Sequence, residues 1–224
     1  MSAIALRSRA TLVFLLCVVA PLVLFSLIAI RITESVVPDW DRSLVLRSAT
    51  WNRGRLGLDA HKVADYTTPL GVLLVSIVLV ALLLKRRWRD ALFWALAVGG
   101  SVVLGVFLKE VFRRPPPPVV PHGYSFPSGA SFTAVTTYLA LLLVLRQSRV
   151  RTLAVVVGGV VVLITGTARI FIEWHYLSDV LAGWLLGVSW VTALWLVTTS
   201  GRSCDPSGGR SYGRSHDNYP ARAP

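Results

Sequence analysis

At 224 residues, with 54% hydrophobic and only 15% charged side chains, the chain is too apolar for an ordinary soluble domain, and its apolar residues fall in long blocks. The formal net charge of +12 does not indicate a nucleic-acid partner, because a nucleic-acid binder would not be built mainly of apolar runs. Lysines and arginines set between such runs point instead to membrane topology and anionic headgroups.

The first apolar run, residues 11–30, follows Arg7 and Arg9 and is long enough to cross a hydrocarbon core of about 30 Å. A retained helix is expected over a cleaved signal peptide, since the run exceeds a usual h-region and lacks a small-x-small cleavage site. Residues 31–66 are polar and mixed in charge, with Asp39, Asp41, Asp59 and Asp65 among arginines, and allow amphipathic helical turns. Further apolar runs cover 67–84, 91–108, 131–145, 152–168 and 179–198. The run 91–108 holds Gly99 and Gly100, which permit close helix packing. Pro115 to Pro118 exclude a helix between the third and fourth runs. The expectation is an all-α, six-span membrane domain over 11–199, a cytoplasmic N-terminus over 1–10 and a disordered cytoplasmic tail over 200–224.

Six spans put both termini on one side. That side would carry Arg7, Arg9, Lys85, Arg86, Arg87, Arg89, Arg146, Arg149 and Arg151 with few acids, so it reads as cytoplasmic in a cell membrane. Lys109, the proline loop, residues 122–130 and Arg169 to His175 then share the outer face.

Three clusters converge there. Lys109 stands with Arg113 and Arg114; Tyr124 to Ala130 runs into the fourth apolar run; Arg169 precedes His175 and Asp179. A Ser-Gly turn opening a helix offers backbone N–H groups to an anion, aided by the helix dipole. His175 and Asp179, four apart, share a face if the last helix starts early, and Asp179 could then hold one imidazole nitrogen while the other attacks. Taken singly, each cluster has a plainer reading: interfacial anchors, a helix start, a capping pair. Their joint order favours a phosphate site. Cys17 and Cys204 lie in different environments, and His61, His122, His175 and His216 lack zinc spacing, so neither a disulfide nor a metal site is expected. The tryptophans read as an interfacial belt, and a transporter is disfavoured by the lack of mid-span charge.

These residues resemble the membrane type 2 phosphatidic acid phosphatases (PAP2), whose pattern is K-x6-R-P, then P-S-G-H, then S-R-x5-H-x3-D. Here K-E-V-F-R-R-P-P-P spans 109–117, P-S-G-A spans 127–130 and A-R-I-F-I-E-W-H-Y-L-S-D spans 168–179. The likeness covers roughly residues 60–198. It implies a nucleophilic His175 that forms a phosphohistidine, an orienting Asp179, and phosphate binding by Lys109, Ser128, Gly129 and Arg169. It further implies a lipid phosphate or isoprenoid diphosphate substrate drawn from membrane lipids, with no cofactor. Two positions depart from the pattern. Pro116 occupies the place of the first-motif arginine, for which Arg113 or Arg114 is the substitute; Arg114 is therefore counted among the phosphate binders. Ala130 replaces the histidine that protonates the leaving oxygen, a group worth about 10²–10⁴ in rate. A diphosphate leaving group, a substitute acid such as His122 or Glu173, or lipid-phosphate binding with little turnover would each account for the alanine.

Overall fold

The computed structural model describes residues 11–33, 37–52, 55–145 and 148–200, whose regular structure is entirely helical. Helix α1 spans Thr11–Thr33 with a π-helical stretch at Leu15–Val19. There follow α2 (Asp39–Asn52), α3 (Arg55–Leu84), α4 (Trp88–Phe112), α5 (Gly129–Val144), α6 (Ser148–Phe171) and α7 (Leu177–Ser200). The expectations for residues 1–10, for 201–224 and for Arg146 lie outside the described residues.

Five helices (α1, α3, α4, α6 and α7) are long and apolar enough to cross a membrane, and the chain is a multi-pass membrane protein. The predicted run 131–145 becomes α5, an apolar helix of 16 residues, shorter than the others. It packs against α7, α4 and α6 and contributes none of the large exposed apolar side chains. Those side chains line the outer helices instead, among them Leu73 and Ile77 on α3, Val103 and Phe107 on α4, and Val156 and Leu163 on α6. The bundle is thus apolar outside as well as inside, as lipid requires.

The polar stretch 31–66, read as allowing amphipathic helical turns, is helical over most of its described residues. It holds α2, and α3 begins at Arg55, twelve residues before the apolar run predicted at 67–84. Pro69 lies inside α3 without ending it. A helix seated in a membrane continues where it can satisfy its own backbone, and residues 58–68 contain neither glycine nor proline.

Two apolar cores fill the bundle. At one end, Phe93, Trp94, Ala97 and Val98 of α4 meet Ala140 and Val144 of α5 and Val191 of α7. Trp190 donates from Nε1 to the Ala97 carbonyl at 2.9 Å, and Gly100 makes room for that indole, whose Cζ2 would lie 2.4 Å from a Cβ there. At the other end, Phe25 of α1, Phe112 of α4 and Phe126 of the following loop form a ring cluster with centroids 5.0–6.0 Å apart. Phe132, Ala182 and Leu186 close this second core. It fixes the loop that leads into α5.

Candidate active site

Every sequence cluster meets at the Phe126 end of the bundle. Helix α4 delivers Lys109 in its last turn and stops at Arg113, whose left-handed backbone (φ 47°) returns its N–H to the Lys109 carbonyl at 2.9 Å. The prolines that follow prevent the helix from resuming. The loop returns when Ser125 N–H donates to the Arg114 carbonyl at 2.9 Å, and it enters α5 through a cis bond before Pro127.

Ser128 is the N-cap of α5 and is fully buried. Its Oγ accepts from Ser131 Oγ at 3.1 Å, and its own N–H donates to the Asp179 carbonyl at 3.0 Å. The second and third clusters are therefore joined through the backbone. Gly183 allows this approach, since a Cβ there would fall 2.7 Å from the Ser128 carbonyl oxygen. The N–H groups of Gly129, Ala130 and Ser131, in the first turn of α5, have no intrahelical acceptor.

Helix α6 brings Arg169 in its last turn and ends at Phe171. The chain reverses at Glu173 (φ 58°), and the N–H groups of Trp174 and His175 both donate to the Arg169 carbonyl, at 3.1 and 3.3 Å. His175 therefore sits on the turn, two residues ahead of α7, and the early helix start that would put it on one face with Asp179 does not occur. The pairing with Asp179 survives this shift. His175 Nδ1 stands 3.5 Å from Asp179 Oδ2, an ion-pair separation outside hydrogen-bond geometry, and Nδ1 has no other partner. Asp179 is fully buried in the first turn of α7 and accepts the Tyr176 N–H at 3.0 Å on the same oxygen.

A cavity of about 420 Å³ opens beside the turn. Lys109, Glu110, His122, Tyr124, Trp174 and His175 line it. Ser128, Gly129, Arg169 and Asp179 are not among the residues that line it. The Arg169 guanidinium lies 5.1 Å from the Trp174 ring centroid, and its Nη2 approaches the Ala64 carbonyl of α3 at 3.5 Å. The N-terminal part of α3, unseen as a helix in the sequence, thus backs the site.

Arg114, expected to bind phosphate, has a different occupation. It is buried, and Nη1 donates to Asp179 Oδ1 at 2.5 Å and to Ser178 Oγ at 2.7 Å. Nη2 donates to Asp41 Oδ2 at 2.9 Å, and the guanidinium carbon lies 4.2 Å from the Tyr176 ring centroid. Its charge is spent on two carboxylates, and the cavity lining does not include it. Arg113, the other substitute for the missing first-motif arginine, is exposed, and its Nε turns back to the Glu110 carbonyl at 3.1 Å. Among the described residues no three His, Cys, Asp or Glu side chains gather as metal ligands.

Asp41 is the residue that the sequence did not single out. It is fully buried, accepts Ser178 N–H at 3.1 Å on Oδ1, and accepts both Ser178 Oγ and Arg114 Nη2 on Oδ2. No motif marks it, and the only signal was an aspartate in a stretch flanked by spans.

Comparisons with known proteins bear on the family and the fold. The sequence pattern of the PAP2 superfamily matches residues 90–202. Phosphatidylglycerophosphatase B of Bacillus subtilis (strain 168) is 26% identical over 178 residues, covering 73% of this chain and 86% of that protein. A Mesorhizobium japonicum protein named phosphatidylglycerol–prolipoprotein diacylglyceryl transferase is 32% identical over 148 residues, 58% of this chain but only 51% of its own length. Among solved structures, the crystal structure of a transmembrane PAP2 type phosphatidylglycerolphosphate phosphatase from Bacillus subtilis matches with a TM-score of 0.64 at 23% identity. The match covers 84% of this chain and 97% of that one, and it establishes the fold.

Proposed function

The chain belongs to the PAP2 superfamily, and from that premise we propose that it is a lipid phosphate phosphatase acting through a phosphohistidine on His175. The observation that carries this reading is the cavity shared by Lys109 and His175, with Asp179 behind the imidazole. Asp179 at Nδ1 favours the tautomer that leaves Nε2 unprotonated and nucleophilic. Attack by Nε2 breaks the bond between phosphorus and the lipid oxygen, and water then splits the phosphohistidine to release inorganic phosphate. Lys109 and Arg169, with the first N–H groups of α5, supply the positive field for the phosphoryl oxygens. Gly129 contributes such an N–H group, and Ser128 shapes the turn that presents it.

The lipid oxygen leaves as an alkoxide and needs a proton, which Ala130 cannot give. His122 takes that role in this reading, because it is the imidazole besides His175 on the cavity wall. The substrate class is a glycerophospholipid phosphate monoester, with phosphatidylglycerophosphate favoured by the name of the Bacillus subtilis relative. In this reading the site faces outward, a reading supported by Lys85, Arg86, Arg87 and Arg89, which follow α3 and open α4 at the end of the bundle opposite the cavity. A second reading, a lipid-phosphate binder with little turnover, is favoured by Ala130 alone.

Purified protein given phosphatidylglycerophosphate, phosphatidic acid or a polyprenyl diphosphate in metal-free buffer separates the two. The phosphatase reading expects phosphate release that His175→Ala abolishes. Release equal to that of the variant on all three substrates would sink it.

A further inference from the structure

Asp41 lies outside the residues matched by the superfamily pattern, on a helix that carries no motif. It is nevertheless fully buried at the root of the site. Resting on the phosphatase reading, we propose that Asp41 is a positioning residue, fixing Arg114 and the start of α7 so that Asp179 keeps an oxygen for His175.

The hydrogen bonds divide the work among these groups. Arg114 is a cation between two carboxylates, with Nη1 on Asp179 Oδ1 and Nη2 on Asp41 Oδ2. A planar guanidinium presents its donors in a rigid fork, so where one carboxylate sits constrains the other. Because Asp41 occupies Nη2, Arg114 engages Asp179 through Oδ1 alone, and Oδ2 remains turned to the Tyr176 N–H and to His175 Nδ1. Without the Asp41 carboxylate, both ends of the fork would be free to close on Asp179, and the oxygen that orients the imidazole would be drawn away.

Asp41 also acts on the helix itself. Its Oδ1 accepts the Ser178 N–H and its Oδ2 the Ser178 hydroxyl. That N–H belongs to the first turn of α7, where no intrahelical acceptor exists, so a carboxylate from another helix serves as the cap. Asp179 is the next residue. The direction in which its carboxylate leaves the helix is therefore set by a side chain 138 positions earlier in the chain.

A role in orientation predicts a specific kinetic split. Asp41→Asn keeps the shape but removes the charge. It is expected to lower kcat by up to about 10²-fold while leaving KM within about twofold, since misplacement of a reacting group, not substrate binding, is what changes. Asp41→Glu restores the charge one methylene further out and is expected to recover part of kcat. A kcat and KM for Asp41→Asn equal to wild type would overturn the proposal, as would equal falls in kcat for the Asn and Glu variants. If Asp41→Asn does not accumulate in membranes, Asp41→Glu carries the test: kcat lowered at unchanged KM supports it, and both unchanged overturns it.

A readout independent of turnover is the position of the His175 ring resonances at one fixed pH, followed by NMR on histidine-labelled protein in detergent. The ring lies 3.5 Å from Asp179 Oδ2, the oxygen that the proposal has Asp41 hold in place. With Asp41→Asn, and Arg114 drawn onto Asp179, those resonances are expected to move. Unmoved resonances overturn the proposal. If wild type proves no more active than His175→Ala, it is the phosphatase reading that fails, and the resonances still decide the role of Asp41.

Discussion

Two arginine–aspartate pairs sit at opposite ends of this bundle, and they do different things. Arg87 and Asp90 lie three residues apart at the start of α4, 2.7 Å from contact to contact, with side chains 21% and 16% exposed. Arg114 and Asp179 lie 65 residues apart, with exposures of 4% and 0% and a third charge, Asp41, completing the group. The first pair forms wherever a helix begins with that spacing, and water reaches it; such pairs contribute about 0–1 kcal/mol. The second exists only once α2, the proline loop and α7 have come together. Its charges have left water, so each depends on the others, and removing one partner of such a group costs about 3–5 kcal/mol. A local pair trims a helix end. A distant, buried one specifies where three segments must meet.

That contrast can be broken most severely with Arg114→Gln. Two buried carboxylates then face each other without a cation, and thermal unfolding in detergent should show a loss of about 3–5 kcal/mol, together with a fall in phosphate release. A melting point unchanged from wild type would mean that the buried group is no more than a dispersed set of charges. The site end can also be changed by repair. Ala130→His returns an imidazole to the first turn of α5, and phosphate release at neutral pH should rise by about 10²-fold if proton delivery limits the reaction. In that background His122→Ala should become nearly silent, whereas in wild type it should lower the rate. No gain from Ala130→His would show that the proton is already well supplied. The smallest effect belongs to the other end. Arg87→Gln loses a partly buried pair and a hydrogen bond from Nη2 to the Val144 carbonyl at 2.8 Å, so it should cost about 1 kcal/mol in thermal unfolding and leave the rate untouched.

The same contrast explains what could be read in the chain. Apolar runs and motif order are local, and they gave the helices, the membrane setting and the meeting of Lys109 with His175. Arg114 was legible as a charge near the first motif but not as a partner of Asp41, 73 residues away, because composition carries no record of which way a guanidinium turns. The helical start of α3 was hidden for a different reason. Its mixed-charge residues show no apolar block, yet the bundle and the intact backbone hydrogen bonding extend the helix through them to Arg55. Whether the last helix starts early enough to include His175 was left open by the sequence, because the left-handed step at Glu173 is taken by a residue that carries no glycine signal for it.

One further consequence lies in the length of α5. Its 16 residues rise about 24 Å, less than the roughly 30 Å of a bilayer's hydrocarbon, while α4, α6 and α7 have 24 or 25 residues each. The shortfall is taken up by the irregular loop from Arg113 to Ser128, folded over the Phe126 rings. A bilayer matched to the longer helices therefore exceeds the reach of α5 alone. Acyl-chain length then becomes a way to load that mismatch: shorter lipids should suit α5 and longer ones strain the bundle where α5 meets its loop.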